Sequence, residues 1–132
     1  MQNAILFYVL PTSSEQQLSE LILALCQQGI HIQTNDQNHA HKISTLLWEY
    51  PEERFIPNMI NCHCPLPVIH IGWGEIPNDR TFIINTSSQQ LDKVNIEWVI
   101  GHKNSESLIQ ARERYAYWKQ RGYHLQYHTQ VT

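Results

Sequence analysis

The sequence predicts a single three-layer α/β domain with a mostly parallel central sheet flanked by helices. Three observations lead there. Continuous apolar runs of strand length recur along the chain, beginning with Ala4–Leu10 (AILFYVL), and a strand covered on both faces reads this way. Between the runs, apolar residues fall at helical spacing. The connections are short and punctuated by proline and glycine, so successive elements pack as βα units. The 132 residues suit one domain that buries a substantial core without disulfide staples.

The elements follow in order. Ala4–Leu10 is a buried first strand closed by Pro11. Thr12, Ser13 and Ser14 offer N-caps, with Ser13 and Gln16 at capping-box spacing. Leu18, Leu21, Ile22 and Leu25 make the apolar stripe of a first helix that Gly29 stops. Residues 30–34 form a second strand. Asp36 caps a second helix carrying Ala40, Ile43 and Leu47, which ends before Pro51. Five prolines break residues 51–78 into loops around one strand near residues 68–71. Residues 81–85 (TFIIN) are a further buried strand, followed by a short helix over about 88–93 and a strand at Ile96–Ile100. Asn104 or Ser105 caps a long helix ending near Gly122, and residues 123–129 return as an edge strand. The predicted arrangement is Rossmann-like.

Composition narrows the function classes. A 42% hydrophobic content excludes wholesale disorder. No run approaches the roughly 18 to 20 apolar residues of a membrane span, and the N-terminus reads as a strand, not a signal peptide. Cys26, Cys62 and Cys64 are too sparse for a disulfide framework and point to free thiols in a reducing cytoplasm. The net charge of −3 hides a division: residues 1–100 hold 4 basic and 10 acidic side chains, residues 101–132 hold 5 basic and 2 acidic. An acidic bulk repels a duplex, whereas the basic end suits a small acidic partner.

Chemistry-bearing motifs are few. The turn Pro11-Thr12-Ser13-Ser14 lacks the glycines that bring backbone up to a pyrophosphate, and Gly72-Trp73-Gly74 precedes no helix. Cys62-His63-Cys64 resembles half of a metal site, but no second ligand pair stands at zinc spacing, so its plain reading is a loop with two incidental thiols. No nucleophile elbow is present. No cofactor is expected. The alternative function is a small cytosolic enzyme, or a nucleotide- or metal-binding domain, built on the Cys62-His63-Cys64 loop.

Two segments stand out. Trp48-Glu49-Tyr50-Pro51-Glu52-Glu53-Arg54-Phe55-Ile56-Pro57 gathers three aromatic residues and two prolines at a helix end. They either fold back over the core or form an exposed apolar patch of the kind that marks a protein interface. In the last helix, Leu108, Ala111, Tyr115 and Trp118 share one stripe, the core face. Arg112 and Lys119 run along one edge of it with Tyr115 between them, and Arg114 and Arg121 along the other. These charges form either a solvated basic face or a groove in which an apolar floor meets guanidinium donors. Such a groove suits a peptide ending in an aromatic residue and its carboxylate. Direct single-strand binding through Arg112, Arg114, Lys119, Arg121 and the tyrosines is a third reading, which the acidic body disfavours.

The run Ala111-Arg112-Glu113-Arg114-Tyr115, continued by Gly122-Tyr123-His124-Leu125, resembles the C-terminal end of the chi-subunit family of bacterial DNA polymerase III. Leu47-Trp48-x-x-Pro51-x-x-x-Phe55-Ile56-Pro57 is similar to that family's helix-to-loop aromatic segment. The resemblance spans essentially the whole chain, and the two segments in this order are its specific part. It implies a non-catalytic accessory subunit of the clamp-loader assembly, cytoplasmic and drawn to the nucleoid through the replisome. It also implies two partners: the psi subunit, met by Trp48, Pro51, Phe55 and Pro57, and the acidic C-terminal tail of single-stranded DNA-binding protein, met by Arg112 with Tyr115. Lys119 joins the tail site from helix geometry. DNA contact is then indirect, there is no membrane partner, and a helicase is a further candidate that competes for the psi surface. Around residues 62–67 the chain departs from the family with a shorter, more cysteine-rich loop, which leaves that loop's role open.

Overall fold

The computed structural model describes residues 4–10, 15–25, 29–49, 56–61, 68–100 and 105–129. Among these residues, seven strands and three helices run β1 (Ala4–Leu10), α1 (Glu15–Leu25), β2 (Ile30–Gln33), α2 (Gln37–Glu49), β3 (Asn58–Ile60), β4 (Ile69–Gly72), β5 (Phe82–Asn85), β6 (Ile96–Ile100), α3 (Glu106–Gln120) and β7 (His124–His128). They form one sheet in the order β3-β4-β2-β5-β6-β1-β7, and every pairing is parallel. The expected α/β architecture is present.

Layering follows from the two-residue period of a strand. In β1, Tyr8 and Leu10 join the cluster built with α1 and α2, through Leu18, Leu21, Ile22, Ile43 and Leu47. Ile5 and Phe7 join the opposite cluster with Trp118 of α3, and Val9 packs with Val99 and Ala111. Helices α1 and α2 therefore cover one face, and α3 covers the other at the β6, β1 and β7 end. Each fully buried Leu or Ile contributes on the order of 1.5–3 kcal/mol.

The helix ends obey local chemistry. The Asp36 carboxylate accepts from the His39 N–H at 2.8 Å, capping α2 as expected. Ser105 caps α3, its hydroxyl accepting from the Leu108 N–H at 3.3 Å. Gly122 closes that helix at φ 85, a left-handed conformation only glycine adopts freely. The capping residues expected at 12–14 and the Asn104 alternative lie outside the described residues.

Two expectations are corrected. The segment before residue 78 holds two strands, not one. β3 escapes a reading based on apolar runs because it has three residues and opens on a buried asparagine: Asn58 donates to Ile56 O at 2.8 Å and accepts from the Ser44 hydroxyl at 2.5 Å. The short helix over 88–93 does not form. There, Asn85 Oδ1 accepts from both the N–H and the hydroxyl of Ser87, and the Ser87 hydroxyl also accepts from the Gln89 N–H. These local bonds compete with helix formation, while Leu91 and Val94 are drawn into the α3-side cluster.

Two connections diverge at the strand carboxyl ends. From β2 the chain turns through α2 toward the β3 edge; from the adjacent β5 it goes to β6, toward the β7 edge. A parallel sheet opens a crevice where neighbouring strands send their connections opposite ways.

Candidate functional site

The position of α3 is set by one buried carboxylate. Glu97 of β6 is fully buried. Its Oε1 accepts from Arg114 Nε at 3.0 Å and from Asn85 Nδ2 at 2.9 Å, and its Oε2 accepts from Trp118 Nε1 at 3.2 Å. Burial pushes this carboxyl above the ordinary carboxylate range, against the pull of the Arg114 guanidinium. Arg114 and Trp118 are one helical turn apart, so two donors on one face of α3 clasp a single acceptor. Arg114 also donates to Ser88 O at 3.2 Å. The expectation that Arg114 lies on a solvated or ligand-facing edge is therefore corrected: four residues before Trp118, it shares the buried face.

Two residues earlier, about 200° around the helix, Arg112 is exposed and makes no hydrogen bond or ion pair among the described residues. It stands at a groove of about 260 Å³ between α3 and the β1–β7 edge, with Phe7, Val9, Leu108, Ala111, Tyr115 and Tyr127. Tyr115 meets Phe7 edge to face at 5.2 Å. Tyr127 is paired in register with Phe7, so it shares the α3 face, and it is 57% exposed. Lys119, one turn beyond Tyr115, is exposed and does not line this groove. Arg121 folds over the Tyr117 ring at 3.4 Å and donates to Tyr117 O at 3.2 Å.

Phe7, Val9 and Tyr127 were absent from the sequence-based site. The two-residue period of β1 and β7 carried that information, but only pairing β7 beside β1 brings the three residues under α3.

At the opposite edge of the sheet, Trp48 is 51% exposed at the end of α2 and Met59 is 42% exposed on β3. Pro57 is exposed next to them in sequence, whereas Ile56 is buried. The segment thus divides between the core and an apolar surface. Pro51 and Phe55 lie outside the described residues, as do Cys62, His63 and Cys64.

Among the described residues no three histidine, cysteine or acidic side chains converge as metal ligands. The nearest feature is a buried pair, His31 of β2 and His70 of β4, with Nδ1 atoms 2.8 Å apart. Gln33 decides its polarity. Its Nε2 donates to Gly74 O at 3.0 Å, leaving Oε1 to accept from His31 Nε2 at 2.7 Å. His31 Nδ1 must then accept, and His70 Nδ1 donates. Glycine at position 72 leaves room for these rings, since a Cβ there would sit 3.2 Å from His70 Cε1 and 3.0 Å from Asn61 Oδ1.

Burial lowers the His31 pKa to about 4, so the unfolded chain binds the proton first as pH falls below 6.5. Stability should hold above pH 7 and decline between 6.5 and 4, by about 3 kcal/mol from this group. Urea unfolding at pH 7, 6 and 5 checks this, because most carboxylates titrate lower; identical midpoints would contradict it.

No described helix is long and apolar enough to cross a membrane. Comparison with curated proteins finds no match to the chain. The model of the family described as DNA polymerase III chi subunit, HolC, matches residues 1–126, which takes in every described element except the last two residues of β7. A match over nearly the whole length shows the family: the chain belongs to the DNA polymerase III chi subunit family and is an accessory component of that polymerase assembly.

Proposed function

We propose that the protein is a non-catalytic bridge, acting in the cytoplasm, that holds the psi subunit at one edge of its sheet and the acidic C-terminal tail of single-stranded DNA-binding protein at the other. The observation that carries the tail site is the groove itself: an exposed guanidinium, Arg112, beside a floor of Phe7, Val9 and Ala111 and the rings of Tyr115 and Tyr127. A C-terminal aromatic residue buries its ring on that floor while its carboxylate takes a bidentate grip from arginine. Lys119 adds to the field along α3 without touching the terminal residue. One principal charge contact and a short ligand set the affinity at roughly micromolar, weakening with salt.

The test is a titration of the full chain with an acidic peptide ending in phenylalanine, as the free acid and as the C-terminal amide. The amide should bind at least about tenfold more weakly, the order expected for losing a charge-assisted pair. Equal affinities would remove the carboxylate grip from the proposal.

The psi site rests on exposed Trp48 and Pro57, with exposed Met59 two residues beyond Pro57, joined by Pro51 and Phe55 from the resemblance. Large apolar anchors of this kind concentrate binding energy. Trp48→Ala should lose copurification with psi while tail-peptide affinity stays within about twofold, because Trp48 is half exposed and distant sites act independently. Parallel loss of both activities would show that the two sites are not separate.

A further inference from the structure

The geometry points to a second ligand site: the crevice at the carboxyl ends of β2 and β5 takes a single nucleobase. The crevice has a volume of about 230 Å³; a cavity of roughly 150 Å³ takes a benzene ring, so one nucleobase fits. It lies where the connections of two adjacent strands diverge, the place at which parallel sheets bind ligands. Its apolar lining comes from Ile43 and Trp98 on the α1–α2 face of the sheet and from Val99 on the α3 face, and its polar lining includes Asn35, His39 and Gln110.

The polar groups are oriented. Asn35 Oδ1 accepts from the Ser88 N–H and hydroxyl at 2.9 and 3.2 Å, which leaves the Asn35 NH₂ as the open end. His39 Nδ1 accepts from the Asn35 N–H at 3.1 Å, so the neutral ring carries its proton on Nε2. Gln110 is half-buried and makes no hydrogen bond among the described residues; its carboxamide offers the paired donor and acceptor that read a base edge. Together the donors of Asn35 and His39 and the Gln110 amide match the ring nitrogens and carbonyls of a base lodged in the crevice.

Phosphate is a poorer fit. Among the described residues the one guanidinium at the crevice, Arg114, is already paired with Glu97 at 3.0 Å, and Asp36 stands at the start of α2 beside it. The base arrives either as a free nucleoside or as an unpaired base of a single strand; both present the same edge.

The experiment is an amide-shift NMR titration of the full chain with adenosine, guanosine, cytidine and thymidine, with deoxyribose 5-phosphate as the base-free control. A short single-stranded oligonucleotide and its abasic counterpart form a second arm. At least one nucleoside should shift Asn35, Ser88, Ser107 and Gln110 and leave Tyr115 and Tyr127 still, with a dissociation constant on the order of 0.1–1 mM. An oligonucleotide that binds the same residues more tightly than the nucleoside identifies a strand as the source; one that does not identifies the free nucleoside. Gln110→Leu should weaken binding about tenfold with an unchanged melting temperature. Absence of crevice shifts with all four nucleosides at millimolar concentration overturns the proposal, and so do equal shifts from deoxyribose 5-phosphate. The tail-peptide titration uses other residues, so either reading can fail without the other.

Discussion

Replacing Glu97 with alanine should cost about 3–5 kcal/mol of unfolding free energy, the range for removing one partner of a buried ion pair. The cost comes from what is left behind. Arg114, 5% exposed, would keep a buried charge with Ser88 O as its one acceptor among the described residues, Trp118 Nε1 would lose its partner, and Asn85 Nδ2 would keep Gln89 O alone. Buried donors without acceptors cost about 1–3 kcal/mol each, and relaxation offsets part of that. Glu97→Gln keeps an acceptor oxygen and should lose less. The double variant Glu97→Leu with Arg114→Met removes both charges and should recover most of the stability, since apolar replacement of a buried pair is often neutral. Urea unfolding of the three proteins measures this. A Glu97→Ala loss under about 1 kcal/mol would mean that the pair contributes no more than a surface contact.

Arg112→Ala should reduce tail-peptide binding by about 30- to 150-fold, equivalent to 2–3 kcal/mol for a charge-assisted pair, while psi binding and the melting temperature stay at the parent values. Unlike Arg114, Arg112 is exposed and spends no donor on any described residue, so its removal leaves no internal acceptor unsatisfied. Arg112→Lys should fall between, because an ammonium keeps the charge and loses the planar fork. Fluorescence anisotropy with the labelled peptide gives the constants. A variant that binds within about threefold of the parent would place the carboxylate contact elsewhere on the surface.

The strands and helices were legible wherever one period dominated. Ala4–Leu10 and Ile96–Ile100 read as doubly covered strands because they are, and the caps Asp36 and Ser105 were visible because capping is a local hydrogen bond. β3 and residues 88–93 were misread for the opposite reason: Asn58, Asn85 and Ser87 satisfy their side chains locally, and no apolar period survives. Helix spacing set Arg112 beside Tyr115 but offered Arg114 with Arg121 as an equal basic edge, and the choice of Arg112 came from the family resemblance.

By itself, then, the amino-acid order determined the layer architecture, the caps of α2 and α3, the exposed Trp48 at the end of α2 and the basic C-terminal helix, since each depends on residues within a turn or two of one another. The folded chain alone decided which of two arginines, two positions apart, faces outward. Glu97 lies on a strand that the sequence places before the helix, and its capture of Arg114 and Trp118, together with the packing of Trp118 and Ala111 on the sheet, sets the rotation that leaves Arg112 at the groove. The floor of that groove likewise needs β7 to close beside β1, a contact between residues more than a hundred positions apart, and no local pattern specifies a pairing at that separation.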